Sequence, residues 1–107
     1  MATISVMYPR QQGGTFDFDY YRDVHVPLVR RLWGGAGLVS GQALKGVAAA
    51  DGAESPFYAI GLIHFDSLEA LNGAVGGAHA GEIMGDIPNF TNVKPIVQVS
   101  EPIASID

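Results

Sequence analysis

The run FYAIGLIHF, Phe57 to Phe65, constrains this chain more than any other stretch. It is rich in aromatic and branched residues and bounded by turn formers, Asp51 to Pro56 before it and Asp66-Ser67 after, so it reads as a strand. Successive strand residues face opposite sides of a sheet. Phe57, Ala59, Gly61, Ile63 and Phe65 therefore share one face, and Tyr58, Ile60, Leu62 and His64 share the other. Both faces are mainly apolar. A fold that accepts this strand has to cover its sheet on two sides.

The remaining elements supply one cover. Thr3 to Tyr8 reads as a strand ended by Pro9 and Gly13-Gly14, and Asp17 to about Trp33 reads as a helix stopped by Gly34-Gly35. Leu38 to Ala49 reads as a long, weak strand, with Gly41 and Gly46 marking a bulge. Ser67 caps a second helix carrying Leu68, Leu71 and Val75 up to Gly76-Gly77, and a short helical segment spans His79 to Met84. The last strand runs from about Val93 to Glu101, with Pro95 restricting it to an edge or a bulge. The order βαββαβ predicts an α+β, ferredoxin-like fold, a four-stranded antiparallel sheet with its helices on one face. A single domain over residues 1–107 is expected, large enough for a core without staples. The second cover is then a second copy of the chain. Low charge, 16 % against 48 % hydrophobic, agrees with surface hidden in a homodimer.

The first helix carries the main candidate for chemistry. Asp17 suits an N-cap, Asp19 suits the first turn, and Arg30 and Arg31 suit the last. Phe18, Tyr21, His25, Leu28, Val29 and Leu32 recur at three- and four-residue spacing and form the buried stripe. Pro27 has no N–H for the Asp23 carbonyl and disfavours helical angles at Val26, so a kink is expected beside His25. A His on an apolar stripe fits two roles, a core residue held by one hydrogen bond or a group placed for chemistry. The kink favours the second, because it leaves carbonyls that need water, a side chain or a ligand.

Composition removes other classes. There is no cysteine, so disulfides, thiolate nucleophiles and zinc–thiolate sites are excluded. A net charge of −5 with six scattered Lys and Arg argues against nucleic acid and anionic membranes as partners. No apolar run reaches the roughly 20 residues of a membrane span, and the N-terminus lacks a signal-peptide pattern, so a cytoplasmic protein is expected. The glycines at 34, 35, 37 and 41 match no phosphate-binding loop, and no nucleophile elbow is present. The three His residues lack metal-ligand spacing, and neither metal nor organic cofactor is expected.

Other polar residues read less sharply. His64 lies on the strand face with Tyr58, Ile60 and Leu62, at a pocket or an interface. His79, Glu82 and Asp86 share one helix side, which suits either a carboxylate-oriented acid–base His79 or a solvated face. Tyr20 is placed opposite Tyr21, on surface or against another subunit, and Trp33 at a rim.

The segments FDFDYYRDVHVPL at 16 to 28 and AHAGEIMGDIPNFTN at 78 to 92, with the closing IVQVSE, resemble the EthD family of the dimeric α+β barrel superfamily. The resemblance spans essentially the whole chain. It implies two sheets paired in a dimer, with His25 at the family's H-x-P-L position and Asp86, Asn89 and Phe90 in its D-I-P-N-F/Y turn. It also implies a setting in catabolism or secondary metabolism, associated with oxidoreductases. The family is named for a protein linked to bacterial degradation of ethyl tert-butyl ether. Related superfamily members include cofactor-free monooxygenases, polyketide cyclases and lactone isomerases.

Two functions from different classes fit these residues. One is a protein that binds a small hydrophobic compound, aromatic or carbonyl-bearing, between sheet and helices, with Tyr8, His79, Asp86, Asn89 and Phe90 as candidate contacts. The other is a cofactor-independent cyclase, isomerase or monooxygenase. There His25 is the general acid or base, and Tyr21 with Tyr8 donates to a developing enolate oxygen. For the strand faces, an Asp at Ile63 is expected to disturb dimerisation or solubility and one at Ile60 to do similar harm through the core, while alternation alone leaves open which face the helices take.

Overall fold

The computed structural model describes residues 1–107. Four strands, β1 (Ala2–Pro9), β2 (Leu38–Lys45), β3 (Phe57–Phe65) and β4 (Ile96–Ser100), form one antiparallel sheet in the order β2-β3-β1-β4. Helical segments lie between β1 and β2 and between β3 and β4. This is the expected ferredoxin-like α+β arrangement. Two strands are shorter than their sequence suggests. β2 stops at Lys45, just before Gly46, and its register shifts between Leu38 and Ser40. β4 begins at Ile96, so Pro95 precedes the ladder and costs it no hydrogen bond.

The first helical stretch differs from a kinked helix in an informative way. It runs as α1 (Phe18–Tyr20), a π-helical turn (Tyr21–His25) and α2 (Val26–Trp33) without a break. Asp17 caps it, its carboxylate accepting the Tyr20 N–H at 3.1 Å. Val26 keeps helical angles, φ −61° and ψ −46°, and its N–H reaches back five residues to the Tyr21 carbonyl. The wide turn resets the hydrogen-bond register just ahead of Pro27. Proline then falls in the first turn of α2, where a missing N–H is tolerated. The expected kink is thus absorbed as a π turn, and that turn holds both Tyr21 and His25.

The helices pack on the face carrying Ala2, Ile4, Val6 and Tyr8 of β1 and Ala59, Gly61, Ile63 and Phe65 of β3. Two clusters form there. In the first, Ala2, Ile4 and Phe65 meet Trp33, Leu71, Ala74 and Ile83. Trp33 is 6 % exposed and meets Phe65 edge-on at 5.7 Å, so it belongs to the core rather than a rim. The second is mostly aromatic, with Tyr8, Tyr21, Tyr58 and Phe90 at its centre. Full burial of Ile4, Phe65 and Leu71 contributes about 1.5–3 kcal/mol each. In the second half of the chain, α3 (Leu68–Val75) starts at Ser67, whose hydroxyl accepts the Ala70 N–H at 3.0 Å. α4 (Ala80–Asp86) follows and runs into a 3₁₀ turn over Ile87–Asn89.

The face away from the helices carries Ile60 rather than Ile63. Ile63 pairs with Ile4 and packs against the first cluster, whereas Ile60 pairs with Met7 on the opposite pleat. Alternation fixes which residues share a face but not which face the helices take, so the sequence left these two residues open, and the register places Ile63 inward and Ile60 outward.

Candidate functional site

A cavity of about 420 Å³ separates the two clusters, bounded by the sheet, by the helical stretch from Tyr21 to Trp33 and by α4. Its origin is legible in the strand register. Gly41 and Ala43 of β2 pair with Ile63 and Gly61 of β3, so the helix-facing pleat is nearly bare where these strands meet. A Cβ on Gly61 would lie 3.1 Å from the Tyr21 hydroxyl oxygen. Small residues on the sheet leave room that the helices do not fill.

Most of the lining is aliphatic, including Val6, Val29, Ile83 and Ile87. Its polar members are His25, Tyr8, Tyr21 and the Trp33 indole N–H, which are buried, and Arg30, which is exposed; Gln42 borders it from β2, at a position on the opposite pleat. His25 is 5 % exposed, stacks along Tyr21 at 5.8 Å and lies 4.7 Å from the Phe90 ring centre.

His25 is held by a residue 61 positions away. Its Nδ1 is 2.9 Å from Oδ2 of Asp86, at the end of α4. The other carboxylate oxygen of Asp86 accepts from the Tyr20 hydroxyl at 2.6 Å and from the Asn89 amide at 3.0 Å. Burial pulls the Asp86 carboxyl upward, but the hydrogen bonds from Tyr20, Asn89 and His25 outweigh it and hold the group below its usual range. Asp86 is therefore an ionised acceptor at neutral pH. Burial lowers His25 against the upward pull of the Asp86 hydrogen bond and charge, so the imidazole is neutral. An ionised acceptor on Nδ1 requires the Nδ1–H tautomer. That leaves Nε2 as the basic nitrogen of a cavity-lining ring.

Both inner phenols stay protonated. Burial raises Tyr21 to about 12, and burial together with the nearby Tyr21 and Asp86 raises Tyr8 further. Each is a neutral donor beside a neutral base, in mainly aliphatic surroundings. Such a set can bind a carbonyl and move a proton at the adjacent carbon.

The other candidates fall in three places. Asp86 and Asn89 lie behind His25 and hold it, and Phe90 packs against His25, Tyr8 and Tyr21, so none of the three lines the cavity. His79 is exposed at the start of α4 and lies outside the cavity, while Glu82 faces Arg31 at 3.9 Å. The carboxylate of that helix thus orients His25, not His79. His64 lies on the far face of the sheet, where Nδ1 is 2.8 Å from the Thr3 hydroxyl. Tyr20, read from sequence as surface or interface, is a direct partner of Asp86. Arg30 and the bare pleat of Gly41, Ala43 and Gly61 carried no local signal. No three His, Asp or Glu side chains converge to hold a metal ion.

The EthD domain model matches residues 15–94. An EthD-like protein of Ralstonia eutropha is 36 % identical, with a TM-score of 0.85 over 96 % of this chain and 92 % of its own. An EthD-family protein of Bacillus halodurans is 23 % identical, with a TM-score of 0.76 over 96 % of this chain and 99 % of its own. The fold is also shared, at 8 % identity and a TM-score of 0.65 over 98 % of this chain and 94 % of the other, with SnoaB, a cofactor-independent oxygenase of Streptomyces nogalater. No curated protein matches the sequence. With its H-V-P-L turn and D-I-P-N-F turn inside the matched region, and the Ralstonia relative alike from end to end, this chain belongs to the EthD family.

Proposed function

We propose that the cavity binds a small hydrophobic compound, aromatic or carbonyl-bearing, between sheet and helices. The observation that carries this reading is the aliphatic cavity of about 420 Å³, within the range of small-molecule sites and with few polar groups facing it. In keeping with its family, we place the protein in catabolism or secondary metabolism, beside oxidoreductases, as a cytoplasmic homodimer.

The Asp86–His25 hydrogen bond favours a second, catalytic reading without a cofactor, of the cyclase, isomerase or monooxygenase kind. In it, Nε2 of His25 takes a proton from the carbon next to a carbonyl. The resulting enolate oxygen accepts from Tyr21 or Tyr8, and the imidazolium, stabilised by Asp86, returns the proton at the end of the cycle.

One probe tests both readings. 2-Tetralone is a compact aromatic ketone with an acidic C–H beside the carbonyl. Calorimetry should detect its binding to the wild type. NMR in deuterated buffer should detect faster exchange at that carbon than in buffer alone. His25→Asn should slow this exchange by about 10²–10⁴-fold with affinity little changed. Binding without accelerated exchange removes the catalytic reading and leaves the binding one. Absence of binding at millimolar ketone overturns the catalytic reading, and absence of binding by compact aromatic acids and amides as well overturns both.

A further inference from the structure

Four arginines are present, and three have a carboxylate within reach. Arg10 faces Glu54, Arg22 faces Asp19 and Asp23, and Arg31 faces Glu82. Arg30 has none, although acidic residues outnumber basic ones eleven to six. It is also the one arginine that lines the cavity, where it is exposed at the mouth. In the last turn of α2 it is favoured by the helix dipole, but Arg31 satisfies the same preference from the outer side. The dipole does not explain why a charge borders an aliphatic cavity.

We propose that Arg30 is a specificity residue, and that the ligand is a hydrophobic carboxylic acid whose carboxylate binds the Arg30 guanidinium while its apolar body reaches inward to His25. This rests on the cavity being a ligand site, as argued above. A guanidinium matches a carboxylate through two parallel N–H···O bonds, a geometry that lysine does not reproduce. Arg30 is five residues beyond His25 on the same helical stretch, a rise of about 7.5 Å at 1.5 Å per residue. A one- or two-ring acid spans that distance. The charged group stays at the solvated mouth, and the aliphatic walls and the inner His and Tyr side chains meet the uncharged end. The ligand therefore enters with its acid trailing.

Matched pairs of probes test this by calorimetry: 2-naphthoate against 2-naphthamide, and 3-phenylpropionate against its amide. The wild type should bind each acid at least about 10-fold more tightly than its amide, and the preference should weaken as salt is raised. Arg30→Gln should remove the preference while leaving amide affinity within about threefold, and Arg30→Lys should restore it only in part. Because Arg30 is exposed, thermal melting should show these variants folded. Equal binding of acid and amide by the wild type overturns the role of Arg30 and leaves the cavity reading intact. So does a preference that survives in Arg30→Gln. If neither these probes nor 2-tetralone binds at millimolar concentration, the cavity reading falls, and the role of Arg30 falls with it.

Discussion

His25 combines two properties that oppose each other in most proteins, near-complete burial and a hydrogen bond to a carboxylate. Burial disfavours the imidazolium and the carboxylate favours it; burial prevails, and the ring is neutral. Unfolded, His25 takes up a proton near its ordinary value of about 6.5; folded, it does so only at lower pH. Between those values the unfolded chain binds more protons, so stability is fully present above about pH 6.5 and is lost as pH falls through that window. Asp86, held below its usual range, adds a loss of the same sign further into acid. Urea midpoints over a pH series should show the first decline, and His25→Gln should flatten it; an unchanged slope in the variant would show that another group carries it. Asp86→Asn removes the charge that stabilises a transient imidazolium. It should lower 2-tetralone exchange by about 10²-fold while affinity stays within about threefold. His25 and Tyr21 were legible in sequence because the helical stripe points both inward. The specific pairing with Asp86 was not, since 61 residues separate the partners and helical spacing set Asp86 beside His79 and Glu82 instead.

At the scale of elements, the caps and the order of strands could be read because they depend on local chemistry. Asp17 and Ser67 both cap as their residue types predict. What escaped was set by contacts between elements. The response to Pro27 was open to a kink or a wide turn, and packing of Tyr21 and His25 against Phe90 is compatible with the wide turn. The cavity also arises between elements. Gly61 looks like a weakness within β3, yet together with Ala43 and Gly41 it opens the floor beneath α2. Gly61→Val should place its methyl groups toward Tyr21 and Val6 and fill that space. Affinity for 2-tetralone should fall by at least about 10-fold, with the far-ultraviolet circular dichroism spectrum unchanged. Unaltered affinity would mean that ligands bind elsewhere.

For the molecule as a whole, the open question posed by β3 was what covers its second face. The register resolves that face into rows across the sheet. Leu44, Ile60, Met7 and Ile96 form an apolar row, and Ser40, His64, Thr3 and Ser100 form a polar one, with Gln42, Leu62, Ser5 and Gln98 between them. Leu44 and Ile96 remain 44 % and 51 % exposed, so the apolar row is open to water at both ends in the single chain. Exposed Leu and Ile at the ends of a continuous apolar row are costly to leave in water. A second copy related by a two-fold axis through the sheet face would cover one row with its own equivalent, and an obligate interface of this type buries on the order of 2,000 Å² or more in total. The wild type should sediment as a dimer at micromolar concentration. Ile60→Asp places a carboxylate in the middle of the apolar row and should give a folded monomer, because no helix packs on that residue. Ile63→Asp faces the first core cluster and should instead lower the melting temperature sharply whatever the assembly state. A monomeric wild type, or an Ile60→Asp protein that stays dimeric, would mean that this face is not where two copies meet.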